Sequence, residues 1–223
     1  MIRKDYETHQ SNANHKIFRN IGPLDRYIYK DWKDEENVQP TTQHSIPDIL
    51  LEEQKKIHIF TDGACSRNGK PDAKAAWAFL CVDDITREIR HRESSKIPLT
   101  EPQTNQRAEL QALLNGLRYS KGLPSDTRIC LWSDSQYAIN CASVWGPTWK
   151  HRGWTKQGGA IQHLDIIKPL VETTRELGYR LEYKWLKAHK GGDALYHFPW
   201  MFNHAVDELA TNALSGSRTF PTL

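Results

Sequence analysis

Cysteine is scarce in this chain of 223 residues: only Cys65, Cys81, Cys130 and Cys141. No two form a C-x-x-C pair and no Cys/His cluster has zinc-finger spacing, which argues against a disulfide framework and a structural zinc site. Cys81 and Cys130 fall inside apolar runs and read as small core residues, so a reducing compartment is expected. Long apolar stretches are missing too. None approaches the roughly 18 residues of a transmembrane helix, so no membrane span is expected. The first ten residues, MIRKDYETHQ, lack the apolar segment of a secretory signal, and Asp5 and Glu7 count against a mitochondrial transit peptide. An intracellular location is expected, nucleus or cytoplasm, with the mitochondrion left open. There is no internal repeat.

What is present is a globular composition with a polar tilt: 38% hydrophobic and 26% charged residues. The length suits one domain with extensions or two small ones. Thirty Lys/Arg stand against 27 Asp/Glu, a net charge of +3. The average hides an asymmetry. Residues 1–56 hold nine basic and ten acidic side chains, whereas residues 145–190 hold nine basic and four acidic. A basic segment on a near-neutral chain points to a polyanion, or to an ordinary solvated face. Residues 1–56 lack a sustained period and contain Pro23, Pro40 and Pro47, yet carry Phe18, Tyr27, Tyr29 and Trp32. They read as a polar extension, either a disordered tail or an arm that packs on the domain or a partner.

From Ile57 the pattern becomes regular. Residues 57–62 alternate as a strand ending in a turn at Gly63. Residues 75–82 form an apolar central strand and 87–95 a polar edge strand. Thr104 is placed to cap a helix whose Leu110, Leu113, Leu114 and Leu117 share one face, with Gly122 and Pro124 beyond its end. A fourth strand (128–133) runs into a helix (134–142), then a Trp/Gly/basic stretch (145–160). An amphipathic helix (161–177), a fifth strand (181–185) and a last helix (203–214) follow. The expected fold is α/β: a five-stranded mixed sheet, three strands antiparallel and two parallel, flanked by helices.

Four carboxylates stand at element ends: Asp62 at the end of the first strand, Glu109 early in the first helix, Asp134 at the end of the fourth strand and Asp207 in the first turns of the last helix. Each alone has a bland explanation, since acidic residues suit helix N-termini. Together they are more informative, because sites in open sheets form beyond the strand ends where connections diverge. Carboxylates gathered there repel and call for hard cations, Mg²⁺ or Mn²⁺. Two such ions activate water and stabilise the leaving oxygen of a phosphodiester, so a metal-dependent nuclease is the expected chemistry.

The strings Thr61-Asp62-Gly63-Ala64-Cys65, Thr104-Asn105-Gln106-Arg107-Ala108-Glu109-Leu110, Ser133-Asp134-Ser135-Gln136-Tyr137 and Val206-Asp207-Glu208-Leu209-Ala210 occur in that order. Trp145, Trp149, the run Lys150-His151-Arg152-Gly153-Trp154, and His189 in Lys187-Ala188-His189-Lys190-Gly191 join them. Over about residues 57–215 the chain resembles type 1 ribonuclease H, in details its eukaryotic-type branch. The resemblance implies hydrolysis of the RNA strand of RNA–DNA hybrids, leaving 5′-phosphate and 3′-hydroxyl ends. Asp62, Glu109, Asp134 and Asp207 would hold two Mg²⁺ ions, with Mn²⁺ as a substitute. Asp62 would bridge both, Glu109 would also touch the RNA 2′-hydroxyl, and His189 would assist proton transfer or product release. Asn68, Asn105 and Gln106 would touch base edges in the minor groove, and Thr104 a DNA phosphate. Tyr137, Trp145 and Trp149 would line the channel for the DNA strand, with Lys150 and Arg152 along phosphates.

Three departures stand out. Pro102 occupies the place of a phosphate-pocket Arg, whose loss weakens binding unless Arg67 or Arg107 substitutes. Residues 190–204 are longer and more aromatic than the family's usual link. They are expected to bury themselves in the core, cover the site or dock a partner. No N-terminal hybrid-binding module is recognisable in residues 1–56, so the expected organisation is an extension (1–56), a ribonuclease H domain (57–215) and a tail (216–223). The chain is expected to be a monomer, and residues 1–56 or 190–204 are where a protein partner would dock. The alternative reading is a non-catalytic hybrid-binding module on the same fold.

Overall fold

The computed structural model describes residues 55–187 and 197–216. β1 (Lys56–Ser66) is the centre of a five-stranded sheet in the order β3-β2-β1-β4-β5. It pairs antiparallel with β2 (Lys74–Asp83), which pairs antiparallel with β3 (Ile89–Lys96). On its other side it pairs parallel with β4 (Arg128–Ser133), and β4 in turn with β5 (Leu181–Trp185). Both sheet faces are covered, which is why β1 and β2 are buried along most of their length. Ile57, Ile59, Phe79, Leu131 and Tyr183 pack with α1 (Asn105–Lys121) and α4 (Leu164–Leu177). Phe60, Ala78, Leu80 and Val82 pack with α5 (Trp200–Ser215). The expected mixed sheet with flanking helices is the fold observed.

α1 starts where its capping residue says it should. Thr104 Oγ1 accepts the Arg107 N–H at 3.2 Å, satisfying one of the helix's orphan donors. Leu110, Leu113, Leu114 and Leu117 are all buried, and the helix stops at Gly122. Arg107, only 5% exposed, clamps α1 to α4 by pairing with Glu101 at 2.5 Å and Asp165 at 2.6 Å.

Several boundaries differ from the sequence reading, each for a packing reason. β1 does not turn at Gly63 but runs on to Ser66, because its ladder with β2 continues as far as Ser66↔Lys74. The helix after β4 does not end at Ala142, and 145–160 is not wholly irregular. α2 (Gln136–Asn140) passes through a π-helical turn (Cys141–Trp145) into α3 (Gly146–His151). Gly146 is the contact point: a Cβ there would lie 2.2 Å from the Cys141 carbonyl oxygen and 2.3 Å from Val171 Cγ2. α4 begins at Leu164, not 161, after His163 in the left-handed region. α5 begins at Trp200, three residues before 203, because Phe202 is buried against Phe60 and Phe198 meets the same ring edge-on. So residues 198–202 of the long aromatic segment do enter the core; residues 190–196 lie outside the described residues.

All four cysteines are free, and Cys81, Cys130 and Cys141 are buried. Among the described residues no helix is long and apolar enough to cross a membrane.

Candidate active site

The site arises from a mismatch between two ladders. The parallel pairing of β1 with β4 ends at Thr61↔Ser133, while the antiparallel pairing with β2 continues beyond it. At Asp62, therefore, β4 peels away into Asp134 and α2, and a cleft opens beside a strand that keeps going. Gly63 lets α1 lean into that gap. A Cβ on Gly63 would sit 2.3 Å from the Glu109 nitrogen and 2.5 Å from the Ala108 carbonyl carbon, so only glycine permits this approach.

The result is that Asp62, Glu109 and Asp134 each place a carboxylate oxygen within 4.8 Å of the others. Asp62 and Glu109 are 6% and 7% exposed. Burial, then the charges of Glu109, Asp134 and Asp207, pushes the Asp62 carboxyl well above its ordinary range. Burial, then the Asp134 charge, does the same for Glu109, against the opposing help of the Gly63 amide and the Asn105 side chain. Asp62 Oδ1 accepts the Gly63 N–H at 2.8 Å, and Glu109 Oε1 accepts from Asn105 Nδ2 at 3.5 Å. Among the described residues, no hydrogen-bond partner reaches the buried Glu109 Oε2. An orphaned, buried carboxylate oxygen among like charges is what a bound hard cation would satisfy, so the donor set fits a divalent metal.

Asp207 is close enough for its charge to help raise the Asp62 carboxyl, and it lines the same cleft of about 510 Å³. It does not sit in the first turns of its helix, because α5 begins at Trp200. Trp200, Asn203, His204, Asp207, Thr211 and Leu214 form one wall of the cleft, at the three- and four-residue spacing of a helix face. Asn203 and His204 were not anticipated. The signal was that spacing back from Asp207, which was already present in a helix read from 203. Cys65 also lines the cleft.

The remaining candidates fall around this centre. Asn68 Oδ1 accepts the Asn105 backbone N–H at 3.2 Å, so the turn after β1 and the start of α1 present their amides together, with Gln106 exposed alongside. The rings of Tyr137 and Trp145 lie 6.0 Å apart and those of Trp145 and Trp149 6.1 Å, a run of aromatics across the π-turn. Trp145 is 39% exposed. Lys150 is paired with Glu172 of α4, and Arg152 is exposed just past α3. His189 lies outside the described residues. Of the two substitutes suggested for the Arg missing at Pro102, Arg107 is buried in its clamp and does not serve. Arg67 is exposed and paired with Asp72 at 2.7 Å.

The family profile described as RNase H matches residues 54–215. The protein called ribonuclease H from Wolbachia sp. subsp. Drosophila simulans is 32% identical over 162 residues, covering 72% of this chain and 97% of that protein. The ribonuclease H of Chlorobium phaeobacteroides is 31% identical over 168 residues, covering 74% of this chain and 99% of that protein. Among solved structures, the PFV RNase H domain superposes with a TM-score of 0.62 at 18% identity, covering 75% of this chain and 99% of the domain. LC9-RNase H1, described as a type 1 RNase H with the type 2 active-site motif, gives 0.58 at 23% identity, covering 74% of each chain. These last two likenesses concern the fold.

Proposed function

The chain belongs to the ribonuclease H family, and from that premise we propose that it is a type 1 enzyme hydrolysing the RNA strand of RNA–DNA hybrids. The observation that carries the reading is the convergence of Asp62, Glu109 and Asp134, with the unpartnered Glu109 oxygen among them. These three and Asp207 would hold two Mg²⁺ ions, which when bound supply an activated water and neutralise the leaving oxygen. The products would carry 5′-phosphate and 3′-hydroxyl ends.

The protein's own groups have distinct tasks. Asp62, held by the Gly63 amide, and Glu109, held by Asn105, present preset oxygens rather than mobile ones. Asn68, Asn105 and Gln106 stand at one rim, where amides meet the acceptors that A·T pairs share in a minor groove. That suits weak sequence preference. Tyr137, Trp145 and Trp149 offer ring faces to the deoxyribose strand, where a 2′-hydroxyl would clash. Lys150 already has a partner in Glu172, but an exposed surface pair is worth only about 0.5 kcal/mol, so exchanging it for a phosphate costs little. Thr104 is committed to its cap, so its contact with a phosphate would come through the same hydroxyl's proton. His189 would serve proton transfer or product release. The catalytic domain would be residues 57–215, with 1–56 as an extension outside it.

A labelled RNA–DNA hybrid incubated with Mg²⁺, beside EDTA, all-RNA and all-DNA duplexes, tests this. Cleavage of the RNA strand in the hybrid alone is expected. Hybrid binding without cleavage would favour the non-catalytic module instead.

A further inference from the structure

Trp185 is a large aromatic that the core leaves half uncovered: 48% of it faces solvent at the end of β5. By strand alternation it follows Leu181 and Tyr183, which are buried. Its indole, however, is not idle. Nε1 donates to the backbone carbonyl of Asp134 at 3.0 Å.

That bond falls at a particular place. The β4–β5 ladder ends with Ser133↔Trp185, and the last strand-like bond beyond it runs from the Leu186 N–H to the Ser133 carbonyl at 3.0 Å. Asp134 is the first residue past the ladder. Inside the turn, the Gln136 N–H reaches the Asp134 carbonyl at 3.1 Å and Ser133 Oγ accepts the Ser135 N–H at 3.1 Å. Those bonds shape the turn from within. The indole of Trp185 ties it to the sheet. With Ser133 held in the ladder on one side, holding the Asp134 carbonyl on the other restricts its ψ, and with it the direction in which the Cα–Cβ bond leaves the chain.

We infer that Trp185 is a positioning residue for the carboxylate cluster, its indole N–H holding the Asp134 carbonyl one step past the ladder so that Asp134 keeps its carboxylate beside Asp62 and Glu109. The inference rests on the proposed role of those carboxylates as metal ligands. Groups that orient ligands from behind typically matter by about tenfold or more in metal affinity or activity. The half-exposed ring is then a consequence of where the donor must stand.

The test uses the full chain and Trp185→Phe, which keeps the ring and removes the donor. Calorimetric titration of the substrate-free protein should show Mg²⁺ binding weakened about tenfold. The Mg²⁺ concentration for half-maximal hybrid cleavage should rise in step, with KM for the hybrid within about twofold. Mg²⁺ affinity unchanged in the variant overturns the inference. So does a raised KM with Mg²⁺ affinity intact, which would make Trp185 a substrate surface. A wild type that binds Mg²⁺ without cutting hybrid would end the enzymatic reading, yet the calorimetric comparison would still decide the role of Trp185. A second measurement does not depend on the variant folding well. In isotope-labelled wild type, the Trp185 indole proton should exchange slowly for so exposed a ring and shift on Mg²⁺ addition. Exchange at the rate of a free indole with no shift overturns the bond itself.

Discussion

Asp62 and Glu109 are ordinary acids made reluctant to ionise by burial and by their neighbours' charge. A carboxyl raised in the folded state binds more protons there than in the unfolded chain, so stability falls as pH rises. The fall begins near the ordinary values of 3.8 and 4.5 and continues up through the raised ones. Each unit of upward shift costs about 1.4 kcal/mol once the group is ionised. Carboxylates with lowered pKa, such as Asp83 at about 2 and Asp165, act in the opposite sense at lower pH. The difference between wild type and Glu109→Gln isolates the cluster. Without metal, the variant's melting temperature should exceed that of wild type increasingly as pH climbs above about 5. Added Mg²⁺ should close the gap by stabilising wild type alone. Melting curves over a pH series with and without Mg²⁺ check this. Asp134→Asn should lower kcat at least about a hundredfold while sparing hybrid affinity, read by cleavage kinetics beside a binding titration. At this scale the acidic residues were legible because they sit in distinctive strings. Their mutual distance was not, since nothing in one dimension says that Oε2 of Glu109 is left without a partner.

Two glycines decide how elements approach. Gly63→Ala should destabilise the fold by about 3 kcal/mol, because the new methyl meets backbone rather than a side chain that can swing aside. Chemical denaturation measures it, and the residual folded protein should cleave poorly because α1 is pushed off β1. The α2–α3 region carries the aromatic run. Trp145→Ala should raise KM for hybrid about tenfold with kcat little changed, as expected for a lost stacking surface. Steady-state kinetics separates the two. The α1 helix was readable to the residue, because Thr104, the leucine spacing and Gly122 agree at every level. The π-turn was not readable. An inserted residue in a helix leaves no local mark, and what stabilises it is the packing of Gly146 on Val171, a contact 25 positions away in sequence. The start of α5 was missed for a similar reason: Phe202 looks like a loop aromatic until Phe60 and Phe198 surround it.

For the molecule as a whole, residues 54–215 match the family over nearly the full length of its bacterial members. A chain lacking residues 1–53 should therefore fold and keep the kcat of the full protein, with any loss appearing in hybrid affinity. Comparing the two chains in one assay checks it. Affinity for the hybrid should fall steeply with added salt, since phosphate contacts release counterions.

By itself the sequence determined the helix and strand periods, the order of the elements and the residue types of the site. Those are local properties, set by propensity, capping and alternation. Only the tertiary structure decided that β1 outruns its partner β4 at Thr61. It also decided that Gly63 admits α1 there, that Arg107 is spent on joining two helices, and that the Trp185 indole reaches the Asp134 carbonyl. Each of these depends on where one element's end falls against another's, and that register is set by packing across the whole core.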